Sequence, residues 1–82
     1  MEESLISQVP VGAVFQHYRN KKNYKILGVG RHTETMELQV VYQGLYHCDT
    51  YGESPVWVRP LHMFLETIDN EGSSTSRFIR ID

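Results

Sequence analysis

Hydrophobic and polar residues alternate along several short segments of this chain, with the period of two that is typical of half-buried β-strands. The clearest segment is residues 36–44, with the sequence MELQVVYQG. The polar side of this segment contains Glu37, Gln39 and Gln43. The other side contains Met36, Leu38, Val40 and Tyr42. The pattern therefore predicts a strand with one packed face and one solvated face.

Other short segments also have the composition of strands. They are residues 13–19, 24–31, 56–59, 65–68 and 77–81. A polar turn at residues 20–23 joins the first two, and Gly28 and Gly30 in the second predict a bulge or a sharp bend. Residues 60–64 begin with Pro60, which suits the first turn of a helix, and they allow only one turn. No amphipathic run of about 12 residues predicts a longer helix.

Several short strands with one late helical turn indicate a mainly all-β fold, and we predict a small SH3-like antiparallel barrel. Residues 1–11 are expected to form a polar N-terminal arm, and residues 12–82 a single barrel domain. The polar residues 69–76 predict a mobile surface loop. The residues predicted to face inward are Phe15, Ile26, Leu27, Val29, Leu38, Val40, Tyr42, Val58, Phe64, Ile68, Phe78 and Ile81.

The composition of the chain is that of a small globular domain, with 82 residues of which 40% are hydrophobic and 22% are charged. Its single cysteine, Cys48, cannot form an internal disulfide, so core packing has to stabilise the fold. The acidic N-terminus has no signal-peptide pattern and no apolar run is long enough to span a membrane, so we expect a cytoplasmic protein. Because barrel closure removes exposed strand edges, we expect a monomer or a weak homodimer.

The net charge of −2 argues against strong attraction to nucleic acid or to an anionic membrane, and we expect neither as a partner. The basic residues are nevertheless concentrated, because five of the eight Lys and Arg residues lie in the first 31 positions. Lys21, Lys22 and Lys25 surround Tyr24 on a predicted hairpin. This hairpin is either a solvated turn or a contact site for the phosphates of a single-stranded nucleic acid.

The order of several motifs resembles a family of small bacterial proteins known only as a domain of unknown function. The motifs are FQHY, YKILG, RHTET, VVY, LY, WVRPLxMF and a late Arg-Phe pair, and the resemblance extends over residues 12–81. RHTET and WVRPLxMF are the most specific of them. The resemblance implies an SH3-like barrel, and it implies no activity, cofactor or ligand.

The RHTET motif places Arg31, His32 and Glu34 together at a predicted hairpin tip. A cation, an imidazole and a carboxylate in one place can bind a small polar or anionic ligand. The alternative is structural: the threonine hydroxyls cap amides of the turn, and Glu34 pairs with Arg31 or Arg59.

Trp57 and Arg59 alternate with two valines and so share one face of a predicted strand. If the valines fill the core, Trp57 and Arg59 form an outer platform with Tyr46 or Tyr18 that suits a peptide, a base or a sugar ring. Alternatively, Trp57 fills the core, and Arg59 makes a buried pair with Glu34 or Glu66. The sequence leaves both arrangements open.

The residues His47, Cys48 and Asp49 are all possible metal ligands, but adjacent residues point in different directions and the chain has no metal-binding spacing. We therefore predict no metal site and no cofactor. A nucleophilic His-Cys pair lacks support for the same geometric reason, and we predict no catalytic residue.

The function that these observations favour is a non-enzymatic binding module for a small polar ligand or a peptide. Its predicted ligand-binding residues are Arg31, His32, Glu34, Tyr46, Trp57 and Arg59. A single-stranded nucleic-acid binder is the first alternative. A small hydrolase or lyase that uses His32 and Glu34 as an acid–base pair is the second, and small barrels leave little room for its pocket.

Overall fold

The computed structural model describes residues 2–70 and 72–82. The elements in chain order are α1 (Glu2–Ile6), β1 (Val14–His17), β2 (Asn23–Arg31), β3 (Leu38–Gly44), β4 (His47–Cys48), β5 (Gly52–Glu53), β6 (Val56–Pro60), α2 (Leu61–Phe64), β7 (Thr67–Asn70), β8 (Ser73–Ser76) and β9 (Phe78–Arg80). Neither of these helices is long and apolar enough to cross a membrane.

Five antiparallel strands form the main sheet, in the order β6-β3-β2-β1-β9. The chain runs as a meander through β1, β2, β3 and β6, turns through the single-turn helix α2, and returns with β9 beside β1. Among the described strands, no pairing joins β6 to β9, so the curled sheet is open between these two edges. This architecture confirms the predicted all-β fold with one helical turn after Pro60, and its strand order is that of an SH3-like barrel.

A β-bulge in β2 decides which residues of that strand face the core. Ile26 pairs with Tyr42 and Gly28 pairs with Val41, so Leu27 is an extra residue without a partner on β3. The inward positions therefore shift from even to odd numbers, and Val29 lies opposite Val40. Gly28 predicted the bulge correctly, whereas Leu27 was wrongly assigned to the core and is 39% exposed.

The core consists largely of aromatic and branched side chains from the concave face of the sheet. It contains Val9, Ala13, Phe15, Tyr24, Ile26, Val40, Tyr42, Leu61, Phe64 and Phe78. Phe64 from α2 stacks on Phe78 from β9, with ring centroids 4.1 Å apart and planes inclined by 4°. This stack connects the helical turn to the last strand within the core.

Two further core predictions are wrong. Val58 is 61% exposed and Ile81 is 48% exposed. Val58 lies directly opposite Val41 on the outer face of the sheet, because opposed residues in an antiparallel pair share a face. Ile81 follows the end of β9, where its amide donates to the carbonyl of Val14 while its side chain remains in solvent.

The N-terminal segment is partly built into the domain. Its described part begins with α1, and Val9 is buried to 2% exposure among the core residues. The carbonyl of Ile26 accepts a hydrogen bond from the amide of Gly12, which attaches the segment to β2. The division into residues 1–11 and 12–82 stays a prediction, and Met1 lies outside the described residues.

Two small hairpins lie outside the main sheet, and one of them replaces the predicted loop. Residues 67–70 and 73–76 form the antiparallel β7–β8 pair, so the prediction of a loop over residues 69–76 is wrong in its described part, and Glu71 lies outside that part. Gly72 has φ +83, which permits the chain reversal. The second hairpin, β4–β5, is held by a 2.7 Å contact between His47 Nδ1 and Glu53 Oε1.

Candidate functional site

A cleft of about 210 Å³ opens at one end of the concave face of the sheet. All five strands of the main sheet, the turn between β1 and β2, and the segment after β3 contribute its walls. The lining residues are His17, Asn20, Tyr24, Tyr42, Tyr46, Trp57, Arg59 and Phe78. They are mostly aromatic rings, with a guanidinium, an imidazole and an amide among them.

Strand register explains why Trp57 and Arg59 line this cleft. Trp57 lies opposite Tyr42, and Arg59 lies opposite Val40, and both partners on β3 are buried. Directly opposed residues share a face, so Trp57 and Arg59 face inward, and the valines on either side of Trp57 face solvent. The prediction that Trp57 and Arg59 lie on the outer face is therefore wrong. The two residues and Tyr46 do lie together, in the cleft on the inner face.

Four polar groups in the cleft form a hydrogen-bonded chain. The indole Nε1–H of Trp57 donates to the hydroxyl oxygen of Tyr46 at 3.1 Å. The hydroxyls of Tyr46 and Tyr24 lie 3.4 Å apart, and Nδ2 of Asn20 donates to the Tyr24 oxygen at 3.3 Å. Burial, together with the hydrogen bond to Tyr46, raises the pKa of Tyr24 above its ordinary value, so this phenol stays neutral and retains its hydrogen.

Arg59 is held by aromatic groups. Its Nε donates to the hydroxyl oxygen of Tyr42 at 3.2 Å, and its guanidinium carbon lies 5.6 Å from the centroid of the Phe78 ring. Within residues 2–70 and 72–82, no carboxylate forms an ion pair with it. Glu66, one of the two acids proposed as its partner, instead contacts Arg77 at 2.6 Å. The predicted buried ion pair of Arg59 is therefore wrong.

His17 forms the wall of the cleft next to Phe78, with the two rings edge-on and their centroids 5.0 Å apart. Its Nδ1 accepts hydrogen bonds from the amides of Arg19 and Asn20, at 3.2 and 3.5 Å. Burial lowers the pKa of His17 below its usual value of 6.5, and the charges of Arg59, Arg77 and Arg19 lower it further. Because these causes all disfavour the imidazolium, the ring is neutral at pH 7.

The rim of the cleft adds one more cation and one more ring. The ammonium of Lys22 lies 4.4 Å from the centroid of the Tyr46 ring, in a cation–π contact. The exposed ring of Tyr51 stands edge-on to Trp57, with centroids 5.4 Å apart. The cleft therefore combines aromatic walls with a positive electrostatic environment in a chain whose net charge is −2.

The RHTET tip lies at the opposite end of β2 from the cleft. Tyr24 and Arg31 are seven residues apart on this strand, which corresponds to roughly 23 Å of extended chain. Nδ1 of His32 accepts hydrogen bonds from the amides of Glu34 and Thr35, and Arg31 donates to the carbonyl of Met36 at 2.8 Å. The structure thus does not bring Arg31, His32 and Glu34 together with Tyr46, Trp57 and Arg59.

A second depression, of about 250 Å³, lies beside α1. Its lining is Leu5, Met36, Glu37, Leu38, Leu61 and His62. The two ionisable residues in it contact each other, with 3.6 Å between His62 Nδ1 and Glu37 Oε2. The aromatic cleft, whose guanidinium contacts no carboxylate of the described chain, is the stronger candidate site.

Several cleft residues were not among the predicted ligand-binding residues, namely His17, Asn20, Tyr24, Tyr42 and Phe78. Tyr42 and Phe78 were assigned to the core, and they are indeed buried, but Tyr42 also directs its hydroxyl into the cleft. The available sequence signal was the tyrosines near strand ends, since a buried tyrosine needs a place for its polar tip.

Comparison with known proteins relates the chain to proteins of unknown function. A family model described as "Protein of unknown function (DUF1653)" matches residues 13–80. A crystal structure of a protein from Bordetella bronchiseptica, described as belonging to DUF1653, is 32% identical, with a TM-score of 0.74 and coverage of 90% of each chain. No curated protein shows significant similarity to this chain.

Proposed function

This chain belongs to the DUF1653 family of proteins of unknown function, and we propose that it is a non-enzymatic binding module whose aromatic cleft takes a small polar ligand or a peptide. The family supplies no activity, so the proposal depends on the cleft alone. A concave site with aromatic walls and a few converging polar groups is the usual form of a ligand-binding site.

The observation that carries the proposal is the environment of Arg59. Its guanidinium is half-buried in an open cleft, and it has ring and hydroxyl neighbours in place of a carboxylate in the described chain. By contrast, Arg77 contacts Glu66 at 2.6 Å and Arg80 contacts Asp82 at 2.8 Å. A charge withdrawn from water without a partner costs free energy, and a ligand that pairs with it recovers part of that cost.

The test uses Trp57, the single tryptophan of the chain, as an intrinsic reporter in the cleft. Small polar compounds and short peptides are titrated into the protein, while the Trp57 fluorescence and its indole N–H resonance are recorded. We expect specific compounds to shift both signals. Arg59→Gln should weaken that binding by about tenfold or more, because a hydrogen bond to a charged group is lost.

Arg80→Gln is the matched control, since it removes the same charge from a residue outside the cleft. It should bind like the unmodified protein. Arg31→Gln tests whether the RHTET tip shares the site, and we expect it to retain binding. If Arg59→Gln binds as well as Arg80→Gln does, the cleft is not the ligand site.

Short oligonucleotides distinguish the first alternative function. A strong response that falls steeply with salt would favour single-stranded nucleic acid as the ligand of the lysine-rich hairpin and would contradict the proposal. A weak response without salt dependence supports the proposal against that alternative.

A further inference from the structure

We propose that the cleft recognises a carboxylate group, from a free small acid or from the C-terminus of a peptide, through hydrogen bonds donated by tyrosine hydroxyls, His17 and Arg59; the inference rests on the proposed function of the cleft. It follows from counting the donors and acceptors of the lining residues.

One hydroxyl hydrogen of the Tyr24–Tyr46 pair is left over for a ligand. Trp57 Nε1–H donates to Tyr46, and Asn20 Nδ2–H donates to Tyr24, and neither group can accept. The single contact between the two hydroxyls, at 3.4 Å, uses one of their two hydrogens. The other hydrogen has no acceptor in the described chain, whichever tyrosine donates in that contact.

Tyr42 and Arg59 supply further donors. The Tyr42 oxygen accepts from Arg59 Nε, so the Tyr42 hydrogen is available. The two terminal nitrogens of the Arg59 guanidinium have no carboxylate partner in residues 2–70 and 72–82. Since Tyr42 is buried and its hydroxyl faces the cleft, a ligand oxygen there would satisfy a donor that water reaches poorly.

His17 also lines the cleft and offers a further donor. Its Nδ1 accepts two backbone amides, so the neutral ring carries its hydrogen on Nε2. The other side-chain acceptor in the lining, Oδ1 of Asn20, already accepts from the amide of Lys22 at 2.7 Å. The polar groups that remain are therefore donors, and the complementary ligand group is one that only accepts.

The charge of the cleft favours a singly charged anion. Arg59 is the cation among the lining residues, because His17 is neutral. A planar carboxylate matches the two-pronged geometry of a guanidinium and carries one negative charge. A doubly charged phosphate would bring a second charge, and the further cation of the cleft, Lys22, lies at the rim over the Tyr46 ring and not among the lining residues.

The surroundings of His17 provide an independent readout. The groups that face it are the rings of Phe78 and Tyr18, the guanidinium of Arg59 on β6, and the charges of Arg77 and Arg19. The three cations lower the pKa of His17 in addition to its burial. A bound carboxylate opposes their effect, so binding should raise the His17 pKa.

The experiment compares matched acid and amide probes by NMR. The probes are acetate against acetamide for the small acid, and N-acetyl-glycylglycine against its C-terminal amide for the peptide end. The readouts are the Trp57 indole N–H resonance and the titration of the His17 ring. We expect at least one acid to bind about tenfold or more tightly than its amide and to raise the His17 pKa.

Variants locate the carboxylate within the cleft. Tyr42→Phe keeps the ring and removes one donor, so it should weaken acid binding several-fold and leave the melting temperature nearly unchanged. Arg59→Gln should reduce the acid-over-amide preference to about one. Arg80→Gln, outside the cleft, should preserve the preference.

The outcomes separate this inference from the proposed function. Equal binding of acid and amide, or tighter binding of inorganic phosphate, overturns the carboxylate assignment and leaves the cleft as a binding site. Acid binding that survives both Arg59→Gln and Tyr42→Phe places the acid outside the cleft and overturns the carboxylate assignment. The absence of any shift with the four probes at millimolar concentration overturns the carboxylate assignment, and the compound titrations described above then decide the proposed function.

Discussion

His17 and His32 close two hairpins of the main sheet with the same set of bonds. In each case Nδ1 accepts the amides two and three residues later, and the backbone carbonyl accepts the amide four residues later. The residue at that fourth position, Lys21 or Met36, has φ of 61 or 63, which allows the chain to re-enter the second strand. The imidazole takes the capping role more usual for Asn or Asp in turns.

The protonation of His17 makes stability depend on pH. Burial and the nearby arginines lower its pKa in the folded state, so between 6.5 and that lower value the unfolded chain binds more protons. The contribution of His17 to stability is therefore complete above pH 6.5 and is lost as the pH falls through the folded-state pKa. Urea unfolding at a series of pH values measures this contribution.

His17→Asn is the matched variant for this prediction, because its side-chain oxygen can accept the same turn amides and does not titrate. We subtract the unfolding free energy of this variant from that of the unmodified protein. This difference should decrease as the pH is lowered from 6.5. A difference that is constant from pH 7.5 to pH 5 would contradict the prediction.

The elements of the fold were largely predictable, because strands and turns leave local patterns. Residues 24–31 and 36–44 form β2 and β3 with small changes of boundary, and Pro60 precedes α2 as expected. The β7–β8 hairpin was missed, because serine and threonine strands have no hydrophobic face to reveal their period. Backbone pairing alone defines such strands.

Gly44 at the end of β3 allows Tyr46 to reach the cleft. A Cβ at this position would lie 2.5 Å from Cε2 of the Tyr46 ring. We predict that Gly44→Ala displaces the ring, breaks the Trp57–Tyr46 hydrogen bond and lowers the free energy of unfolding by about 1–3 kcal/mol. Urea unfolding and the Trp57 emission spectrum measure the two effects.

Gly30 on β2 provides the control, since a Cβ there meets no atom within 4 Å and the backbone conformation suits any residue. Gly30→Ala should be neutral or stabilise the fold by up to about 1 kcal/mol. If both variants unfold at the same urea concentration, the contact between Gly44 and Tyr46 has no structural importance.

The whole molecule is a curled sheet whose interior is filled by rings from different strands. Phe78 contacts Phe64, Tyr42 and Tyr24, at centroid distances between 4.1 and 5.7 Å. Arg59 on β6 lies over the Phe78 ring on β9, so side chains connect the two edges that backbone pairing leaves open. The cleft forms where this filling stops short of the end of the sheet.

Valine-to-threonine substitutions test which residues of the sheet face the core, at one inner and one outer position. Val40→Thr places a hydroxyl at a position with 0% exposure, and it should lower the free energy of unfolding by about 1–3 kcal/mol. Val58→Thr changes an outer residue and should alter that free energy by less than about 0.5 kcal/mol. Comparable losses in both variants would mean that Val58 is buried, as the sequence analysis expected.

Only part of the candidate site could be predicted from the sequence. Trp57, Arg59 and Tyr46 were identified as possible ligand contacts from their chemistry, and they do lie in one cleft. Their separation from Arg31, His32 and Glu34 could not be predicted, because it depends on the register and the facing of β6 against β3. The sequence also did not separate a tyrosine that only fills the core from one whose hydroxyl also lines the cleft.

The sequence by itself determined the all-β class, the main strands, an irregularity near Gly28 and the helical turn after Pro60, since each depends on local periodicity or on one residue's backbone preference. Only the tertiary structure decided which side of Val56–Pro60 faces inward. Apolar residues occur on both sides of that strand, so its period leaves the facing open. Pairing with Tyr42 and Val40 settles it and brings Arg59 into the aromatic cleft.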